Sequence, residues 1–420
     1  MANLITIDGT TLEGGGQLLR IALGVSALTG IAVQFEQIRG NRDEGGGLRG
    51  QHLNCVNWLA EACNADLTGA ELFSQTLTFT PGDIQKNLYM KITQKSPGSI
   101  SLIFQAVLPF LLFSGLQGPM ELIITGGTNV SNSPSIDYVD QVLLPTLELI
   151  GLPQIMVHCP ERGWTLGRMK MGTVKFTIPP LPRGMPLPAF ELSERGMISR
   201  VHAIAVAPAS VKSTFESMLP AMFAKRIPGI PFRGLTFQDS RSMYRWYLLL
   251  VATTENGHKL GCDRLLEIKP PQGMFVKGVE ILIKRVLAAF EPTIAHGGVV
   301  DKHLRDQLVV FQALADGRSS VYAGEDENGP VEPSLHAKTA HWITKKMLGV
   351  VFDDNGSCEG IGLVPGGEVM IFQDAEALDE DLESVAEAQE QEEDLEEQEE
   401  DSEKSNTVTD EEAVSWEASP

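Results

Sequence analysis

Phosphate-handling chemistry in this 420-residue chain is densest in the first 52 positions. A β-prone stretch through Asp8 leads past Glu13 into three glycines, Gly14, Gly15 and Gly16, and then into helical apolar spacing that carries Arg20. Glycines let a backbone approach an anion closely, and a helix N-terminus adds unpaired N–H donors and a favourable dipole. Neither the GK[ST] ending of a Walker loop nor the GxGxxG fingerprint is present. Alone, such a turn can be plain chain geometry. Glu13, however, stands where a carboxylate could hold a divalent cation beside phosphates.

A second glycine-rich loop follows, with Arg39, Arg42 and Arg49 feeding another helix that opens on Gln51 and His52. The planar guanidinium fork suits phosphate oxygens because it donates two hydrogen bonds at once. Loose surface arginines are the plain alternative. Two such loops in succession point to a phosphate-bearing substrate. The chain also holds eight histidines. His303 precedes Asp306 and Gln307, while His336 and His341 lie close together near the end of the folded body. A neutral imidazole is a competent phosphorus nucleophile near pH 7 and leaves readily once protonated. No ligand spacing among these histidines supports a zinc site.

The elements that must position these residues alternate. Helical spacing recurs at Gln17–Thr29 and Gln51–Ala65, at Ser99–Phe113 and Asp137–Ile150, and at Val279–Phe290 and Asp301–Ala315. Gly-bounded β segments lie between them, at Ile31–Arg39, Thr76–Phe79, Met120–Gly126 and Thr173–Ile178. Three helix pairs predict an internally repeated α/β unit and an α+β fold class. The Pro-rich stretch Pro179–Pro188 and the exit at Pro270–Gly273 bracket a strand–helix–strand segment with a helix at Ser210–Ala224. That pattern predicts a small domain over 184–276, inserted into a large domain of 1–183 and 277–372.

The net charge of −22 is unevenly spread. From Asp374 onward there are 21 acidic residues and one lysine, leaving 34 acidic and 32 basic residues in the body. The body is therefore near neutral and can present a local basic surface to nucleic acid. The segment 373–420 lacks core-forming residues and is expected to be disordered, as a solvating tail or as an arm that mimics RNA charge. Five cysteines without a CxxC pair read as reduced structural thiols in an intracellular protein. No apolar run is long enough to span a bilayer, and the N-terminus does not read as a secretory signal.

The order of blocks is specific. Asp8-Gly…Glu13-Gly-Gly-Gly-Gln-x-x-Arg20, then Ile38-Arg-Gly-x-Arg42…Gly47-Leu…Gln51-His52, resembles the RNA 3'-terminal phosphate cyclase family. The likeness continues through Phe104-Gln105…Pro109, Gly126-Gly-Thr-Asn129 and His303…Asp306-Gln307, and ends with Ser334-Leu-His336-x-x-Thr339. It spans about residues 4–355 in family order. The resemblance implies three repeated units like the C-terminal domain of a translation initiation factor, with a small thioredoxin-like insert. It implies an ATP-dependent ligase that closes an RNA 3'-phosphate into a 2',3'-cyclic phosphate, with His336 as the nucleophile that carries AMP. Glu13, Gly14, Gly15, Gly16, Gln105, Asp306 and Gln307 would surround ATP, with Glu13 as the carboxylate for Mg2+ or Mn2+. Arg20, Arg39, Arg42 and Gln51 would meet phosphates of the RNA end or of ATP. A nuclear location, in nucleoplasm or nucleolus, goes with such RNA processing, with the cytoplasm as the alternative.

Some positions depart from the family pattern. The loop after Arg42 reads Asp43-Glu-Gly-Gly-Gly47, which is one residue longer and places negative charge near the expected RNA end. Lys170-Met-Gly172 replaces a glycine-rich run, Ala340 replaces an asparagine, and Arg241–Trp246 replaces a more glycine-rich stretch. The rival reading is the related branch of non-catalytic RNA-binding factors in ribosome biogenesis. That branch lacks the glycine-run glutamate and the nucleophilic histidine, and this chain has both Glu13 and His336. The enolpyruvyl transferases share a repeated architecture, but the histidine block argues against them.

Overall fold

The computed structural model describes residues 4–42, 45–165, 168–266 and 273–367. The acidic segment 373–420 and the departures at Asp43 and Glu44 lie outside them.

The first unit contains β1 (Leu4–Asp8), α1 (Gly16–Thr29), β2 (Ala32–Glu36), α2 (Gly50–Ala62), β3 (Asp66–Thr68) and β4 (Leu77–Thr80). Its sheet order is β1-β2-β4-β3, with β1 parallel to β2 and the other pairs antiparallel. The second unit contains β5 (Lys91–Thr93), α3 (Ile100–Phe113), β6 (Met120–Gly126), α4 (Ile136–Tyr138), a π-helical turn at Val139–Leu143, α5 (Leu144–Leu149), β7 (Met156–Glu161) and β8 (Gly172–Ile178). Its order, β5-β6-β8-β7, repeats the first unit strand for strand and with the same senses. The third unit opens with β9 (Glu191–Leu192) and is then interrupted.

The interruption carries β10 (Ile198–Ala207), α6 (Lys212–Arg226), β11 (Phe232–Asp239), β12 (Tyr247–Thr254), β13 (Lys259–Leu265) and α7 (Phe275–Ala295). The third unit resumes with α8 (Lys302–Leu314), β14 (Asp316–Val321), the short pair β15 (Glu325–Asp326) and β16 (Gly329–Pro330), α9 (Leu335–Leu348) and β17 (Cys358–Ile361). Its sheet, β17-β14-β9, keeps the parallel and antiparallel pairing of the other units with one strand fewer. The α+β repeated fold is as expected.

Two differences have clear causes. Val279–Phe290 was paired with Asp301–Ala315 as the third unit's helices. Instead, Val279, Leu282, Ile283, Val286, Leu287 and Phe290 pack with the inserted sheet, in a core that extends to Ile294, past residue 276. The third unit uses α8 and α9. Periodicity shows that a helix has an apolar face, not which sheet that face covers. The single helix expected over Asp137–Ile150 is broken by the π-helical turn. Pro145 has no N–H to return to the carbonyl of Gln141, so regular helical bonding fails there.

The inserted sheet runs β11-β10-β12-β13, with β10 parallel to β11 and the remaining pairs antiparallel. Strand alternation gives it two occupied faces. Val201, Ala203, Ala205, Leu248, Leu250 and Ala252 face α6 and α7. Ile204, Val206, Tyr247, Leu249 and Val251 join the main core built by the three units.

Candidate active site

The glycine turn is shaped by what its missing side chains would strike. A Cβ on Gly15 would lie 1.9 Å from Glu13 Oε1, and one on Gly16 would lie 2.5 Å from His52 Nε2 and 2.8 Å from Arg20 Nη1. The chain reaches this turn through Leu12 and Gly14, both at positive φ. No side chain caps the start of α1, and its first turn holds no acid. Its leading N–H groups are therefore available to an anion, as an uncapped N-terminus favours.

Glu13 sits under this turn with its side chain only 8% exposed. One carboxylate oxygen, Oε1, pairs with Arg42, and the other, Oε2, is buried without a hydrogen bond. Its backbone N–H donates to Thr339 Oγ1 at 3.2 Å. That bond ties the turn to α9, the helix that carries His336. Ser334 caps α9 by accepting the Ala337 N–H at 3.2 Å, and His336 lies exposed in the first turn. His341 is turned elsewhere, stacked on Phe352 with ring centroids 4.0 Å apart. Burial, with Arg305 nearby, holds it down to about 4. It packs rather than reacts.

A cleft between α1, α3 and α8 adjoins the turn, lined in part by Gln17, Arg20, Gln105, Leu143, Asp306 and Gln307. Gln17 donates to Asp306 Oδ2 at 2.7 Å, and Gln105 donates to Gln307 Oε1 at 2.6 Å. Gln307 in turn donates to the His303 carbonyl. The half-buried amide of the apolar helix α3 thus finds its partner across the cleft. Burial pushes the Asp306 carboxyl up to about 7, with Gln17 and Arg20 acting against it and Asp301 adding to it. Arg20 is drawn down by burial, and the charges of Glu13, Cys55 and Asp306 oppose that shift. The neighbouring carboxyl groups of Glu13 and Asp306 thus offset part of the cost of sheltering this cation from water.

The arginine loop arrives from the other side. Burial first, then Arg20, Arg39 and Arg49, hold His52 down to about 3. Its Nδ1 accepts the Arg49 N–H at 3.2 Å, which leaves the proton on Nε2, toward Gly16. Arg39 is in the left-handed region at φ 57°. Gln51 joins α2 to the start of α3, its side-chain oxygen accepting the Ser99 N–H at 3.3 Å. Glu13, Arg20, Arg42, Gln105, Asp306 and Gln307 all belong to this one region. Gln17, His52 and Thr339 were inside the quoted motifs but not selected. Thr339 had a legible signal, because i and i+3 positions lie on one helix face.

A family model described as RNA 3'-terminal phosphate cyclase matches residues 11–353. The RNA 3'-terminal phosphate cyclase of Pyrococcus furiosus is 31% identical over 378 residues, covering 89% of this chain and 100% of its own length. That of Drosophila melanogaster is 29% identical over 380 residues, covering 88% and 95%. That of Caldivirga maquilingensis is 35% identical over 322 residues, covering 75% and 86%.

Proposed function

Because this chain belongs to the RNA 3'-terminal phosphate cyclase family, we propose that it is an ATP-dependent ligase converting an RNA 3'-phosphate into a 2',3'-cyclic phosphate. One observation carries the reading: His336 is exposed on the first turn of the helix whose Thr339 is bonded to the Glu13 glycine turn.

In this reading the neutral imidazole of His336 attacks the α-phosphorus of ATP. A P–N bond forms, the bond to the β-phosphate oxygen breaks, and pyrophosphate leaves with the electron pair. An oxygen of the RNA 3'-phosphate then attacks the same phosphorus and the imidazole departs, leaving AMP on the RNA end. The adjacent ribose 2'-OH attacks the RNA phosphorus and AMP is expelled, while the hydroxyl proton passes to solvent. That closure needs mainly positioning, since the nucleophile is on the neighbouring carbon.

The N-terminus of α1 with Gly14, Gly15 and Gly16, together with Arg20, Arg39 and Arg42, would receive phosphate oxygens. Charge-assisted contacts of this kind contribute about 1.5–3 kcal/mol each. Gln105, Asp306 and Gln307 would orient the nucleotide in the cleft. The donor set suits magnesium or manganese held mostly by phosphates and water, because Glu13 Oε2 is a buried oxygen without a hydrogen bond. Among the described residues no cluster of three or more His, Cys, Asp or Glu could form a full protein cage. A cation there neutralises triphosphate charge. An RNA end-processing role suits an intracellular, nuclear setting, and among the described residues no helix is long and apolar enough to cross a membrane.

Incubation with α-labelled ATP tests the reading. Acid-labile label should stay on the wild-type protein, be absent from His336→Ala, and be discharged by 3'-phosphorylated RNA with formation of a 2',3'-cyclic end. Wild-type protein that takes no label, or an alanine variant labelled equally well, would remove His336 from the chemistry.

A further inference from the structure

A second cavity lies on the inserted sheet, away from the glycine turn, lined by Arg200, His202, Arg233, Thr253, Lys259 and Gln141 along with Val251. Its make-up follows from the strands. On the face of β10 and β12 that meets the main core, Ile204, Val206, Leu249 and Val251 are apolar. Continuing along that face, alternation brings His202, Arg200 and Thr253 beyond the apolar contact. The register sets Arg200 opposite Thr253, and Thr253 opposite Lys259, so two cations flank one threonine across three adjacent strands. Neighbouring strands are about 4.8 Å apart.

Arg233 joins them through a β-bulge. Val201 pairs with Phe232 and His202 with Gly234, which leaves Arg233 as the extra residue. Bulges re-aim side chains in this way. Gly234 follows at φ 143°, where other residues rarely go.

Among the described residues none of Arg200, Arg233 and Lys259 forms an ion pair. Lys259 donates only to Thr253 Oγ1, at 2.9 Å, and His202 shares a hydrogen bond with Thr236 Oγ1 at 2.9 Å. Asp140 is engaged by the Gln141 amide at 2.7 Å. Like charges set across adjacent strands repel, and an anion seated among them relieves that cost. Partial burial, then Arg200, draws both Lys259 and His202 below their ordinary values.

The cavity and the cleft share a wall. The π-helical turn Val139–Leu143 contributes Gln141 to the basic cavity and Leu143 to the cleft of Gln105 and Asp306. A helix is about 10–12 Å across with its side chains. That separation is short enough for one RNA strand to reach both sites.

We propose that the basic cavity of Arg200, Arg233 and Lys259 binds an internal phosphodiester of the RNA whose 3'-phosphate enters the cleft. This rests on the cyclase reading for the substrate's identity. It adds a second, sequence-independent grip upstream of the reacting end.

Fluorescence anisotropy with the full chain tests it, using a 3'-phosphorylated dinucleotide and a 3'-phosphorylated decamer of single-stranded RNA. Wild-type protein should bind the decamer about tenfold more tightly, with a salt slope steeper by about 0.7 for each added phosphate contact. The double variant Arg200→Gln with Lys259→Gln should lose that advantage and the extra slope. Its dinucleotide affinity and its labelling by α-labelled ATP should be unchanged, and Arg233→Gln should give a smaller loss in the same direction. An unchanged decamer affinity in a double variant that still takes label overturns the proposal, as does an equal loss for both lengths. Inorganic phosphate that stabilises wild type but not the double variant, with no length dependence for RNA, overturns RNA as the occupant. If wild-type protein takes no label, the cyclase reading fails separately. Thermal unfolding then checks the variants' folding, and the length dependence still decides this inference.

Discussion

The backbone N–H of Glu13 donates to Thr339 Oγ1 at 3.2 Å, joining residues 326 apart in sequence. Thr339 Oγ1 also donates to the Leu335 carbonyl at 2.8 Å, so the hydroxyl is held in one rotamer. The N-terminal part of α9 and the glycine turn are therefore tied directly to one another. His336 keeps its place relative to Glu13 through this hydroxyl.

Thr339→Val removes the bond while preserving side-chain shape. Stability should fall by about 1 kcal/mol, the usual net worth of such a bond plus the stranded N–H. On the proposed mechanism, the rate of labelling by α-labelled ATP should fall further than stability predicts. Chemical denaturation and the labelling rate, measured together, separate the two effects.

Gly15→Ala is a test of carboxylate position. The added Cβ would meet the Glu13 carboxylate, which is the far end of a flexible side chain and can swing away. The fold should survive with Tm nearly unchanged, while the divalent-metal concentration needed for half-maximal labelling rises. Glu13→Gln should raise it too, since the neutral amide gives up a charged contact of about 1.5–3 kcal/mol.

Asp306 predicts a pH effect with a definite sign. Its folded value, about 7, lies above the unfolded value near 3.9. The stabilising contribution is thus complete below about pH 4 and is lost as pH rises toward 7, because the buried charged form is disfavoured. Asp306→Asn cannot ionise, so its melting temperature should fall less between pH 5 and 8 than that of the wild type. Parallel melting curves for the two proteins would exclude a raised Asp306.

Gln105→Leu should separate binding from folding. The change fits an apolar helix but leaves the Gln307 oxygen without its donor. Nucleotide affinity should drop about tenfold, in line with roughly 1–2 kcal/mol for a lost polar contact. Isothermal titration with a non-hydrolysable ATP analogue measures it. Affinity equal to wild type would mean that this amide pair is only a clasp between α3 and α8.

Much of this was legible from local spacing. The glycine turn, the helix that follows it and the caps on α3, α8 and α9 are short-range patterns. Ser99, Asp301 and Ser334 each accept N–H groups from within the first turn of their own helix. The Val279–Phe290 assignment failed for a related reason, since its apolar stripe was real but its partner sheet lay elsewhere in the fold. The sequence by itself determined which groups could meet phosphate, that most helices lie where apolar spacing recurs, and that an α/β unit recurs, whereas α9 and the break inside Asp137–Ile150 were not read from it. Tertiary structure decided that Gln17 grips Asp306, that Thr339 braces Glu13, and that Gln51 serves a helix junction. The physical reason is range. Periodicity and capping depend on residues a few positions away, whereas burial, and with it the raised carboxyl of Asp306, depends on neighbours that only the folded chain brings together.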